Sequence, residues 1–236
     1  MTNERLELPV YTFPGDRPVL LIHGFTRSAE LDWVEPGWPE ALAAAGRGAI
    51  AVDLPGHGSG PIVARGAVSV GAIVAAMVAT IDAIGEEVDV VGYSLGARLA
   101  WTLAATGHVR RLVLGGMSPT NPHAGVDVDL LGAVARGEIA PPDPKYARLA
   151  EWVSIPRLDR DTLLWLIEAL AADSFDPAVD PPNIPTLIVA GAEDTQVDHI
   201  AATLPAATYV VVPGDHYRAL ISAEFRAAAI EFLTSP

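Results

Sequence analysis

Short apolar runs recur along this chain, separated by longer alanine-rich stretches: PVLLIH (18–23), GAIAVDL (48–54), VDVVGYS (88–94), VRRLVLGG (109–116), PTLIVAG (185–191) and TYVVVPG (208–214). Runs of this length without polar alternation suit strands that are buried on both faces. The stretches between them are long enough to be the helical crossovers that parallel strands require. The pattern predicts an α/β fold: a mostly parallel central sheet covered by helices on both faces.

One segment breaks the rhythm. Between Met117 and Asn183 no β-like run appears; the chain instead offers PPDP, helix-compatible stretches around VDLLGAVARG and RDTLLWLIEALAAD, and the proline-rich DPAVDPPNIP. This predicts a core formed by residues 1–116 and 184–236, with 117–183 a short helical insertion over one end of the sheet.

A chain of 236 residues that is 50% apolar and 19% charged has material for one large α/β domain or two small ones. Its formal charge of −14 repels phosphate backbones and anionic lipid heads, so the expected partner is a small-molecule substrate, with neither nucleic acid nor membrane. The longest apolar stretch, near VSVGAIVAAMVATI, falls short of the ~20 residues of a membrane span. The first ten residues, MTNERLELPV, carry acidic groups where a secretory leader is basic. A cytoplasmic protein is the expectation. With no cysteine, the chain has no disulfide, thiolate nucleophile or cysteine-bound metal.

Chemistry enters at VVGYSLGARLA (90–100), where Gly92 and Gly96 flank Ser94. A serine hydroxyl is a weak nucleophile until the backbone exposes it and a base takes its proton. An apolar run enters Ser94 and LGARLAWTLAAT, a good helix, leaves it; this is the strand–turn–helix setting of a nucleophile elbow. The N-terminus of that helix also directs unpaired N–H groups and a positive dipole end at the serine.

In parallel sheets, loops at the carboxyl ends of the strands converge on one edge, so partners for Ser94 are sought there. His23, His57 and His108 precede any acid in the order Ser, Asp, His, which leaves His123, His199 and His216. His216, expected in a loop just past TYVVVPG, is the chosen base; His199 is expected on a helix and His123 opens the insertion. For the carboxylate, Asp194 lies three residues beyond the glycine that ends PTLIVAG, with Glu193 and Asp198 as rivals. Asp53 reads as a structural loop carboxylate. An oxyanion needs two backbone donors: the N–H of Leu95, and that of Phe25 in the turn after PVLLIH. His23 is expected to orient that turn.

LLIHGF, VDLPGHGSG, VGYSLGARLA, IPTLIVAGAED and VVPGDHYRAL together resemble the α/β-hydrolase fold family, in its order and over nearly the whole length. The resemblance implies a Ser-His-Asp acyl-transfer site made of Ser94, His216 and Asp194, with no metal and no organic cofactor. It also implies a serine hydrolase of the carboxylesterase or thioesterase kind. The stretch before Pro18 offers one strand-like run, RLELPVYTF, where larger members have a hairpin, so the sheet is expected to have about seven strands. The short insertion implies a small or open lid, whose Trp152, Trp165 and Phe175 are available to line a pocket; Trp152 is the substrate-contact candidate.

A finer resemblance runs through HGFTRSAELDW, DLPGHG and GYSLGARLA to the menaquinone-pathway synthase of the same fold, a carbon–oxygen lyase that eliminates pyruvate with the same triad. Arg98 matches its carboxylate-binding arginine, and Tyr93 and Trp33 match its flanking aromatics, so Tyr93 and Arg98 are also substrate-binding candidates. The paired arginines expected early in its lid are not recognisable, because Arg136 stands alone in that stretch. The other reading of Arg98 is a helix residue that packs its stem and pairs with an acidic neighbour.

Overall fold

The computed structural model describes residues 6–179, 181–194, 200, 204 and 206–235. The predicted sheet is present with seven strands in the spatial order β1-β3-β2-β4-β5-β6-β7. They are β1 (Val10–Phe13), β2 (Asp16–Ile22), β3 (Arg47–Val52), β4 (Val88–Tyr93), β5 (Val109–Gly115), β6 (Thr186–Gly191) and β7 (Thr208–Val212). Only β1 runs antiparallel, pairing Val10 with Val52 and Phe13 with Ala49 at one edge of the sheet. The others are parallel, so their carboxyl ends share one edge.

Side chains alternate between two cores, as the period of two in a strand demands. On β2, Leu20 and Ile22 join one core with α2 (Val70–Ile84) and α3 (Leu95–Ala104). Val19 and Leu21 join the other, with α1 (Trp38–Ala44) and the C-terminal helix. The stretch around VSVGAIVAAMVATI is thus not a span but α2, started by Ser69, whose side chain accepts from the Ala72 N–H, and stopped by Gly85 at φ 82°. Among the described residues, no helix is long and apolar enough to cross a membrane.

Between β5 and β6 stand α4 (Val128–Ala135), α5 (Pro144–Val153) and α6 (Arg160–Ala172). Leu131, Leu149, Val153, Leu163 and Ile167 make a third apolar cluster among these helices. Leu166 and Leu170, on the other side of α6, pack into the α2–α3 core and fix the helical segment to the sheet. After β7 come α7 (His216–Leu220) and α8 (Ala223–Thr234). The loop position expected for His216 is therefore corrected: it is the first residue of a helix, because the Asp215 side chain accepts from the N–H groups of Tyr217 and Arg218 and starts one there.

Candidate active site

Ser94 is the single residue between β4 and α3, and it holds φ 53° and ψ −112°, a conformation costly for any residue but glycine. Its neighbours leave no alternative. A Cβ on Gly92 would stand 2.4 Å from the Gly96 carbonyl oxygen, and one on Gly96 would stand 2.0 Å from that of Ile22. The two glycines let three backbone segments approach one another, and the turn between them lifts Ser94 out of the sheet. The Ser94 N–H donates to the Gly115 carbonyl at 2.8 Å, which ties the elbow to β5.

Asp194 and His216 come from the ends of β6 and β7. The Asp194 N–H donates to the Gly191 carbonyl (3.0 Å), a tight turn that places its side chain inward at 3% exposure. Its Oδ2 lies 2.6 Å from Nδ1 of His216, whose ring is 43% exposed. Glu193 is exposed, while Asp198 and His199 lie outside the described residues. Ser94 and His216 line the same cavity of ≈ 380 Å³. Gly116 packs against both Tyr93 and His216: a Cβ there would meet the Tyr93 ring at 2.6 Å and Cε1 of His216 at 2.9 Å.

The turn after β2 is held by side chains on both sides of Phe25. The Gly24 N–H donates to Oδ2 of buried Asp32 (2.9 Å), and the Thr26 N–H donates to Nε2 of His57 (3.0 Å). The peptide N–H between them, that of Phe25, has no acceptor among the described residues. Arg27 donates to Oδ1 of Asp32 at 2.7 Å, yet burial outweighs both donors and pushes the Asp32 carboxyl above its ordinary range. His23 and His57 are buried with the same tautomer: Nδ1–H donates to a carbonyl, of Gly24 and Pro55 respectively, and Nε2 accepts a backbone N–H. Burial pushes them down to about 4 and about 3, so both are neutral around pH 7 and neither serves as a proton carrier. Asp53 accepts from the N–H groups of Ala29 and Ser59 and from the Tyr11 hydroxyl, as a structural carboxylate does.

The substrate-binding candidates divide. Trp152 is 39% exposed on the cavity, its ring 6.1 Å from that of Phe25. Tyr93 touches the cavity, but its hydroxyl is committed to the His216 carbonyl at 2.6 Å, and burial raises its pKa so that it remains a donor. Arg98 reaches the cavity wall with its guanidinium engaged elsewhere: it pairs with Asp173, donates to Thr102 at 2.6 Å and stacks 3.9 Å over Phe175. Phe175 and Trp165 are the undersides of Arg98 and Arg65, and neither lines this cavity. Trp33 is buried edge-on against Trp38.

The cavity also holds His123, passed over as the base in favour of His216, and two cations that the sequence did not single out. His123 lies 5.8 Å from the Phe25 ring, and its buried Nδ1 has no partner among the described residues. Burial, helped by Lys145, pushes it down to about 4. Lys145 and Arg148 line the cavity from α5. Asp32 and His57 lie behind the cavity wall, and their sequence signal was confined to HGFTRSAELDW and DLPGHG, where a buried polar residue beside a glycine turn needs a backbone partner.

The family model of the alpha/beta hydrolases matches residues 19–229. The chain belongs to the alpha/beta hydrolase family. Solved structures of this fold superpose over nearly the full length. An esterase from Thermogutta terrifontis has a TM-score of 0.75 at 20% identity, covering 97% of this chain and 93% of the other. An esterase from Exiguobacterium antarcticum gives 0.74 at 17%, with 97% and 96% covered. A bromoperoxidase from Bacillus anthracis gives 0.72 at 21%, with 98% and 96% covered. No curated protein sequence matches the chain. At these identities the alpha/beta hydrolase structures establish a shared fold and leave chemistry to the site itself.

Proposed function

We propose that the chain is a cytoplasmic serine hydrolase that cleaves a small carboxylic ester or thioester. The observation that carries this reading is the 2.6 Å contact between Asp194 and His216 at the mouth of the cavity that Ser94 enters on a strained turn. In the proposed cycle His216 takes the proton of Ser94 through Nε2 while Asp194 holds Nδ1–H, which fixes the tautomer and stabilises the imidazolium. Ser94 Oγ bonds to the acyl carbon, and the N–H groups of Phe25 and Leu95 receive the negative oxygen; each such donor lowers the barrier by about 3 kcal/mol. His216 then gives its proton to the leaving alcohol or thiol. Water, deprotonated by the same imidazole, releases the acid and restores Ser94. The segment 117–183, carrying α4 to α6, serves as the lid.

The pyruvate-eliminating lyase is the second reading, and the state of Arg98 weighs against it. That chemistry asks for a guanidinium available to a substrate carboxylate, whereas Asp173 and Thr102 already occupy this one. The two readings separate by labelling with a fluorophosphonate probe and by assaying p-nitrophenyl acetate beside the lyase substrate. The hydrolase reading expects a covalent adduct on Ser94, nitrophenol release and no pyruvate. Pyruvate release without ester turnover would replace it with the lyase.

A further inference from the structure

The cavity is lined by four cationic residues, Arg27, Arg98, Lys145 and Arg148, and among the described residues by no aspartate or glutamate. This is unexpected in a chain with a formal charge of −14. Two of the four are neutralised from behind, Arg27 by Asp32 and Arg98 by Asp173. Lys145 and Arg148 are not. The ammonium of Lys145 donates to the Ala124 carbonyl at 2.8 Å, Arg148 lies 5.7 Å from the Trp152 ring, and no carboxylate pairs with either among the described residues.

Their placement is regular. Lys145, Arg148, Leu149 and Trp152 all line the cavity and follow the i, i+3, i+4, i+7 spacing of one helical stripe on α5. The stripe leads outward from the chemistry: Phe25 beside the elbow, Trp152 against Phe25, Arg148 against Trp152. An acyl chain running along Trp152 and Leu149 would end at the two cations. His123 beside them is neutral around pH 7, so the positive field on this wall belongs to Lys145 and Arg148. On a molecule whose overall field repels anions, two uncompensated cations on the wall of a cleft, Lys145 half-buried and Arg148 exposed, attract one locally.

We propose that the substrate is an ester or thioester carrying a carboxylate at the end remote from the scissile bond, and that Lys145 and Arg148 receive that anion. The assignment deepens the hydrolase reading and, as a statement about substrate, rests on it. Arg148, planar and always charged, suits a bidentate pair with the carboxylate, and Lys145 adds a point charge.

The test compares the mono-p-nitrophenyl ester of adipic acid with p-nitrophenyl hexanoate, which lacks the terminal carboxylate, in wild type, Arg148→Gln, Lys145→Gln/Arg148→Gln and the control Arg136→Gln. Arg136 pairs with exposed Glu138 and is not part of the cavity lining, so its variant reports the change in overall charge alone. The expected result is a kcat/KM for the adipate ester at least about tenfold above that for hexanoate at low salt, the scale of one partly screened charge contact. That ratio should fall towards one in the double variant, fall part of the way in Arg148→Gln, persist in Arg136→Gln and shrink as ionic strength rises. Equal turnover of the two esters by wild type, or a ratio that survives the double variant, would overturn the proposal while leaving the hydrolase reading intact. Absence of turnover on every ester would instead remove the hydrolase reading. Calorimetric binding of adipate then decides the anion site alone: weakening of about tenfold in the double variant but not in Arg136→Gln supports it, and equal or absent binding overturns it.

Discussion

The hydroxyl of Tyr93 donates to the carbonyl oxygen of His216 at 2.6 Å, so the residue immediately before Ser94 holds the backbone of the residue that carries the imidazole. The ring of Tyr93 also meets that of His216 edge-on at 5.3 Å and fills the space that the missing side chains of Gly115 and Gly116 leave. Tyr93 thereby couples the ends of β4 and β7, and in the proposed cycle it positions the base.

Tyr93→Phe keeps the ring and removes the donor. It should lower kcat on p-nitrophenyl acetate about tenfold with KM changed less than about twofold, since an unsatisfied buried carbonyl and a loosened base cost ~1–3 kcal/mol. Kinetics with a thermal melt checks this. A fall in Tm with kcat unchanged would make Tyr93 a core residue only.

Two glycines on helices predict opposite outcomes. Gly96→Ala would drive a Cβ to 2.0 Å from the Ile22 carbonyl and should destabilise by ~3 kcal/mol or more, because backbone on both sides cannot yield. Gly71→Ala, in the first turn of α2, would meet only the Ser69 hydroxyl oxygen at 3.9 Å and should stabilise by up to ~1 kcal/mol. Denaturant midpoints of the two variants against wild type check both.

Acid sensitivity follows from the buried histidines. His23 and His57 are held at about 4 and about 3, below the ordinary 6.5, by burial above all. Below pH ~6.5 the unfolded chain therefore binds protons that the folded chain refuses. Their contribution is fully present above pH ~6.5 and is lost as pH falls, towards about 4 for His23 and about 3 for His57, with each imidazole adding ~1.4 kcal/mol per pH unit to the slope. In His57→Gln the slope of stability against pH over this window should be shallower by that amount, measured by urea unfolding at several pH values. An unchanged slope would contradict a neutral, buried His57.

Much of this architecture was readable because parallel strands buried on both faces leave continuous apolar runs, which is why β2 to β7 coincide with the runs seen in the sequence. The elbow was readable because its requirements, two glycines around a serine between strand and helix, are all local. What was missed is either disguised or distant. PPDP reads as a break, yet Asp143 caps α5 by accepting from the Tyr146 N–H and Pro144 opens the helix, so the same residues that end one segment start another. The anchoring of the Phe25 turn depends on His57, 31 residues from Thr26, and the Tyr93–His216 bond spans 123 residues. That Arg98 pairs with an acid was one of its two readings, but the partner, Asp173, lies 75 residues away. No periodicity records such pairings, since each depends on where a loop returns in three dimensions.

The central claim is that Ser94 is the nucleophile of an acyl-transfer cycle, and turnover of a short p-nitrophenyl ester by purified Ser94→Ala, folded as judged by its melt, tests it most directly. The account predicts a loss of roughly 10⁶ in kcat, because removing the nucleophile costs about as much as removing the whole cooperating set. Turnover by Ser94→Ala at or near the wild-type rate would contradict it.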